Sequence, residues 1–301
     1  MVVAALFSGA LMALHASLPN TVGNLGSLVQ TLLPWLGLSV PVLLALAALR
    51  RSRLAAVAAL VPAVVWASLF GGVLTDKSGA HDGGAGRLVV VSHNVDEDNR
   101  DPEHTARALA ATGADVLALE ELARDATPVY ARELAGAYPH RTVHGGVGLW
   151  SRHRLEDVEV VPIMPWTRAV RATVRTPEGP VAVYAAHLAS VRVHPFHGFT
   201  TERRNDAARL LADAVHAEPL PRVVVLGDLN GTDRDRALAP LTSGLRSAQR
   251  EAGDGFGFTW PAAFPVVRID DVLVRGMTPR SSWTLPATGS DHLPVAASLT
   301  L

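Results

Sequence analysis

Apolar positions fall into two regimes along this chain. Before Thr75 they run nearly unbroken. Val2–Leu18 is interrupted only by Ser8, His15 and Ser17, Leu25–Leu49 only by Ser27, Gln30, Thr31 and Ser39, and Leu54–Leu74 carries no charge. A bilayer span needs ~20 apolar residues. The pattern therefore predicts transmembrane helices over about 2–18, 25–49 and 54–75, the first at the short end. Pro34 and Pro41 would end a soluble helix, but membrane helices tolerate proline. A signal peptide competes for the first run, but no basic segment precedes it. Arg50, Arg51 and Arg53 crowd the loop between the second and third runs, and the opposite loop has no basic residue. The positive-inside bias puts these arginines in the cytoplasm. The expected location is the cell membrane, multi-pass, with all that follows Asp76 outside the cytoplasm.

Asp76–Gly86 is polar and rich in glycine, the texture of a short tether. From Arg87 to Leu301 the apolar runs shorten and alternate with helical patterns. Strands are predicted at Leu88–Val91, Asp115–Leu119, Val147–Trp150, Glu159–Ile163, Ala169–Arg175, Pro180–Ala186, Val223–Leu226, Arg268–Val274 and Pro294–Leu299. Helices are predicted from Pro102 to Gly113, with Asp101 as cap and proline at the first position, over Pro128–Ala137, and over the amphipathic Glu202–His216. The organisation is thus a membrane segment (1–75), a linker (76–86) and one α/β domain (87–301).

Composition adds little to that. The hydrophobic fraction, 49%, is raised by the first regime. Cysteine is absent, which removes disulfides, thiolate metal sites and thiol nucleophiles. The net charge is −1, and no polybasic stretch offers a nucleic-acid footprint.

The chemistry gathers at predicted strand ends. In Arg222–Gly231 (RVVVLGDLNG) an apolar strand stops at Asp228 and Asn230 between two glycines. Two residues apart in extended chain, they share a side and suit orienting water or facing a metal. A plain polar turn has the same composition. Asn94, Glu121, His187, Asp270, Asp291 and His292 also stand at or beside strand ends, where sheet proteins bind ligands. Carboxylate oxygens suit Mg²⁺ or Mn²⁺, and no His and Cys set at zinc spacing competes.

Six motifs now carry a resemblance: SHN at Asn94, DVLALEE at Glu121, AAHL at His187, GDLN at Asp228 and Asn230, RIDDVL at Asp270, and SDHLPV at Asp291 and His292. In this order the chain from Leu88 resembles the endonuclease/exonuclease/phosphatase superfamily, which includes DNase I, inositol-phosphate phosphatases and neutral sphingomyelinases. The resemblance implies a sandwich of two β-sheets with helices on both outer faces and an active site at one edge. It implies that Glu121 is the main metal ligand, helped by Asn94 and Asp291. His292 would be the catalytic histidine and Asp270 its partner. Asp228 and Asn230 would orient or deprotonate the attacking water, and His187 would hold a phosphoryl oxygen. The general base is left open between Asp228 and His292 with Asp270. Two positions depart from the family pattern: Glu120 where glutamine is usual and Asp271 where an aromatic is common. These extra acids would favour a metal or repel a polyanion. His194 and His197 suit a substrate-side loop better than a second metal, and Arg203 and Arg204 reach either a phosphate or solvent.

The helical anchors resemble a membrane-anchored bacterial branch that includes glycopeptide-resistance proteins. The resulting expectation is a monomeric, Mg²⁺-dependent phosphohydrolase acting on a phosphate ester or pyrophosphate, lipid-linked by analogy. A surface-tethered nuclease is the alternative, disfavoured by the charge. A catalytically silent binding or scaffold protein is the alternative of another class.

Overall fold

The computed structural model describes residues 1–78, 86–194 and 198–301. The expected tether falls largely outside these, as does His197, and the side chain of His194 is also not described. The apolar segment forms helices α1 (Val2–Ala13), α2 (Leu25–Thr31), α3 (Ser39–Leu49) and α4 (Arg53–Phe70). Among the described residues one helix, Arg53–Val73, is long and apolar enough to cross a membrane. Leu25–Leu49, expected as one span, is bent by 69° between Thr31 and Leu33. Pro34 explains the break: it lacks an N–H and disfavours helical backbone at the residue before it, and Leu33–Leu38 winds as a 3₁₀ turn instead. The first run also stops early, since the 12 residues of α1 span only ~18 Å.

These helices pack through small residues. Ala5, Ala58 and Ala59 are buried with Leu43, while Val3, Phe7, Leu49, Leu54, Val57 and Val64 lie exposed. That pattern inverts a water-soluble bundle, in which large apolar side chains turn inward.

The remaining chain builds two mixed six-stranded sheets. The strands are β1 (Arg87–Asn94), β2 (Val116–Glu120), β3 (His140–His144), β4 (Val147–Ser151), β5 (Arg154–Val160), β6 (Ala169–Thr176) and β7 (Gly179–His187), then β8 (Arg192–His194), β9 (Gly198–Thr200), β10 (Val223–Asp228), β11 (Arg246–Ser247), β12 (Asp270–Arg275), β13 (Thr278–Thr284) and β14 (Val295–Thr300). One sheet runs β13-β14-β1-β2-β4-β3, the other β11-β12-β10-β7-β6-β5, and β8 and β9 pair apart. Between the sheets lie Val90, Ala118, Leu149 and Ala297 from the first and Val183, Val224, Leu226 and Val272 from the second. Helices α5 (Pro102–Ala111) and α6 (Thr127–Leu134) cover the outer face of the first sheet. Helix α7 (Glu202–His216) covers the second. Short helices α8 (Ala239–Thr242) and α9 (Ala248–Ala252) complete the chain. The expected two-sheet sandwich is present. The strand expected at Glu159–Ile163 lies earlier, at β5. The edge strands β3, β11 and β13 were not expected, because edge positions lack the apolar runs that mark a buried strand.

The helical segment is docked on the sandwich as well as joined to it. Trp35 donates from Nε1 to the Val266 carbonyl at 2.7 Å and stacks on Phe258. Phe70 meets Phe256 edge-on, and Arg234 lies over Phe70 while donating to the Leu69 carbonyl at 2.6 Å. Asn24 donates to the Phe199 carbonyl at 2.7 Å and to Glu202 at 2.9 Å.

Candidate active site

Strand direction assembles the site. β1 and β2 are parallel neighbours, as are β7 and β10, so the carboxyl ends of all four share one edge of the sandwich. Asp228 ends β10 opposite His187, which ends β7. β12 runs antiparallel to β10, so its first residue, Asp270, also lies opposite Asp228. β14 runs antiparallel to β1, which brings the preceding loop, with Asp291 and His292, to the same edge. Gly227 allows the close approach of β10 to β7: a Cβ there would lie 1.8 Å from the Ala186 carbonyl oxygen, at φ +152°.

Asp228 is the hub. Its Oδ1 accepts the Asn230 backbone N–H at 2.8 Å, and its Oδ2 accepts from the amides of Asn94 and Asn230, each at 3.1 Å. Asn230 also donates to the Leu188 carbonyl and sits in left-handed backbone, φ +46°. The Nε2 of His187 lies 3.4 Å from Glu121 Oε1 and 3.6 Å from Asp228 Oδ2. The Nδ1 of His292 donates to Asp270 at 2.9 Å, and its Nε2 stands 3.8 Å from both Asp228 Oδ2 and Asp291 Oδ1. All eight expected residues therefore meet at one edge. Seven are buried or partly buried, and Asp291 is exposed at the rim, held by Trp260 Nε1 at 3.0 Å.

The two histidines differ in charge. Burial and the neighbouring Arg168 guanidinium, with His292, push His187 well below the usual histidine range. Arg168 donates to its Nδ1, so the neutral ring carries its proton on Nε2, facing the cleft. Burial opposes charge on His292 as well, but Asp270 outweighs it, helped by Asp228 and Asp291, and raises His292 to about 10. Burial and the Asp270 charge push Asp228 up to about 7.

The metal test favours Glu121. It sits just past β2 at φ +54°, a conformation rare for this residue type, with a partly exposed carboxylate lining a cleft of about 540 Å³ with Arg124, Trp166 and Arg168. Hard carboxylate oxygen in a wet cleft fits Mg²⁺ or Mn²⁺. Ligand atoms of Asp228, Asp270 and His292 also lie within 4.8 Å of one another. His292 spends Nδ1 on Asp270 at 2.9 Å, however, which commits the two side chains to each other. That trio is better read as acid–base machinery. Asn94 turns its N–H₂ toward Asp228, and its oxygen accepts from the Asp96 backbone N–H. A lone pair is left there for a metal.

The two extra acids do not face substrate. Asp271 is buried against Arg268 at 2.9 Å on the other side of β12. Glu120 is fully buried and accepts from Ser92. Burial, with Asp270 and Asp228 nearby, raises it well above the usual carboxylate range. Neither would repel a polyanion as expected. Arg203 is exposed beside Trp166 and Arg168, whereas Arg204 is buried and paired with Asp235 at 2.6 Å. Both alternatives for Arg204 are therefore overturned. Arg168 and Trp260 were missed, since a lone arginine or tryptophan next to a strand carries no periodic signal.

Residues 91–292 match the family described as Endonuclease/Exonuclease/phosphatase family. No curated protein matches the chain. Among solved structures, humanized D. rerio TDP2 is 19% identical, with a TM-score of 0.60 over 72% of this chain and 100% of that one. A mannosyl-6-phosphatase of Bacteroides thetaiotaomicron is 14% identical, with a TM-score of 0.60 over 71% and 100%. Beta toxin of Staphylococcus aureus is 16% identical, with a TM-score of 0.56 over 70% and 99%. At these identities the likeness is one of fold.

Proposed function

The chain belongs to the Endonuclease/Exonuclease/phosphatase family, and from that premise we propose that it is a membrane-anchored, extracytoplasmic, metal-dependent phosphohydrolase. The observation that carries this reading is the meeting of Asp228, Asn230 and His187 with the Asp270–His292 pair around one small volume. Such an arrangement serves in-line attack of water on phosphorus.

Asp228 is the general base in this reading. Its carboxylate lies at the centre, and its raised pKa of about 7 suits proton abstraction near neutrality. The Asn230 side chain fixes that carboxylate and helps to orient the water. His187 and His292 both turn Nε2–H groups toward the same space, one neutral and one charged, and hold phosphoryl oxygens there. Asp270 keeps His292 protonated and in one orientation. Glu121 would hold Mg²⁺ or Mn²⁺, with Asn94 and Asp291 in support. When bound, the ion supplies Lewis-acid neutralisation of phosphoryl charge.

Three features support the membrane placement. The outward face of the helices is apolar. Arg50, Arg51 and Arg53 lie at the end of α4 opposite Phe70, and Phe70 is the end that packs on the sandwich. That polarity supports a reading with the arginines inside and the catalytic domain outside. An apolar groove of about 450 Å³, lined by Trp35, Pro41, Trp66, Phe256 and Phe258, opens at the seam between helices and sandwich. The segment that supplies Phe256 and Phe258 continues to Trp260 at the rim of the site. This favours a lipid-linked phosphate ester or pyrophosphate over DNA.

The test uses the full-length protein in detergent with Mg²⁺ or EDTA. Phosphate or nucleotide release is followed from plasmid DNA, bis-p-nitrophenyl phosphate, sphingomyelin and a polyprenyl pyrophosphate. Metal-dependent release from a lipid substrate, lost by at least about 10³-fold in Glu121→Gln and in His292→Ala with unchanged circular dichroism, is the expected result. DNA cleavage alone would make the chain a tethered nuclease. Near wild-type turnover in both variants would sink the hydrolase assignment.

A further inference from the structure

The loop that follows Asn230 is walled by the helical segment. Ser27 of α2 is fully buried and donates from Oγ to Asp235 Oδ1 at 3.0 Å. Asn20 donates to that Oγ at 3.1 Å and accepts the Ser27 backbone N–H at 2.9 Å, so the hydroxyl is held from both sides. Asp235 Oδ2 takes Arg204 Nη2 at 2.6 Å, with both side chains buried. Arg204 Nη1 then donates to the backbone carbonyl of Asn230 at 3.2 Å. Gly231 makes room for that guanidinium, since a Cβ there would lie 2.0 Å from Nη1. Arg236 adds a second grip. Its backbone N–H goes to Gln30 Oε1 at 3.0 Å, and its guanidinium goes to the carbonyls of Ala16 and Leu18 at 2.7 and 2.9 Å.

We propose that the helical segment is a positioning element of the active site, acting through Ser27, Asp235 and Arg204 on the backbone of Asn230. A membrane anchor needs no buried hydrogen-bond chain to a catalytic loop. Desolvating a charge pair is costly, and the geometry it secures is that of a residue in sparsely populated backbone. Left-handed Asn230 persists because its surroundings over-determine it, and part of those surroundings comes from α2. Ser27, Asp235 and Arg204 touch no substrate; their effect reaches the chemistry through Asn230, which supports Asp228.

The test is made on full-length protein in detergent micelles, with Ser27→Ala and the conservative Ser27→Thr. Amide hydrogen exchange over residues 229–236 should quicken by about 10-fold in Ser27→Ala, leave β10 unchanged, and return to wild type in Ser27→Thr. The kinetic arm rests on the phosphohydrolase reading. With bis-p-nitrophenyl phosphate, kcat should fall by about 10-fold at unchanged KM. In an Asn230→Ala background, Ser27→Ala should cost nothing further. Unchanged exchange overturns the proposal whether or not the wild type turns over. Quickened exchange with unchanged kcat overturns it too, as does an equal loss in the Asn230→Ala background, which would mark general destabilisation. Quickened loop exchange in a wild type silent on all four substrates of the panel would support the clamp and count against the hydrolase reading.

Discussion

His187 and His292 lie on opposite sides of Asp228, both nearly inaccessible to solvent, yet they titrate in opposite directions. Burial depresses both. The difference is made at Nδ1, where His187 faces the Arg168 guanidinium and His292 faces the Asp270 carboxylate. One ring is kept neutral and the other charged, within reach of the same carboxylate oxygen. Burial alone would leave both rings neutral; the carboxylate on the far nitrogen reverses it for His292, and the guanidinium reinforces it for His187. A phosphoryl group entering between the rings would meet one neutral donor and one cation.

The largest change should come from Asp270→Asn. The amide keeps the hydrogen bond but withdraws the charge, so His292 falls from about 10 toward its ordinary value. A loss of kcat of about 10³–10⁴-fold is expected, and the alkaline limb of the pH–rate profile should move toward neutrality. An unmoved limb would show that Asp270 does not hold the proton. Arg168→Met attacks the other side. His187 should titrate closer to the usual histidine range in ¹⁵N spectra of its ring, with kcat/KM lower by about 10- to 100-fold.

Stability should record the same contrast. His187, depressed in the folded state, contributes stability that is present above pH 6.5 and is lost as pH falls below it, because the unfolded ring then takes a proton. His292 contributes stability that is full below pH 6.5 and is lost as pH rises through about 10. Melting temperature against pH should flatten on the acid side in His187→Gln and on the alkaline side in His292→Gln. The same variant flattening both limbs would contradict independent partners. Glu120→Gln should act on stability alone. Folding raises the Glu120 carboxyl well above its ordinary range, so its ionisation opposes folding near neutrality, and the amide removes that penalty: unfolding free energy should rise in the variant at pH 7 and match wild type at pH 3.

Much of this was legible without coordinates. The two regimes of apolar pattern separated helices from sandwich, because a bilayer span and a buried strand differ in length. The eight candidate site residues were legible because they stand at or beside the ends of apolar strands and within the six motifs, and in two sheets of this topology several strand ends share one edge. Helix α7 was read to the residue, since its apolar face repeats at helical spacing. Edge strand β13 was not, because its sequence, TPRSSWT, has no continuous apolar run.

The amino-acid sequence by itself therefore determined which groups are available, on which elements, and at which strand ends. Tertiary structure alone decided their state and their company. It laid α2 against the sandwich. It buried Arg204 against Asp235, and it set Arg168 on one histidine and Asp270 on the other. Those outcomes depend on contacts between residues far apart in the chain, and charge and strain are set by such neighbours, which no local pattern encodes.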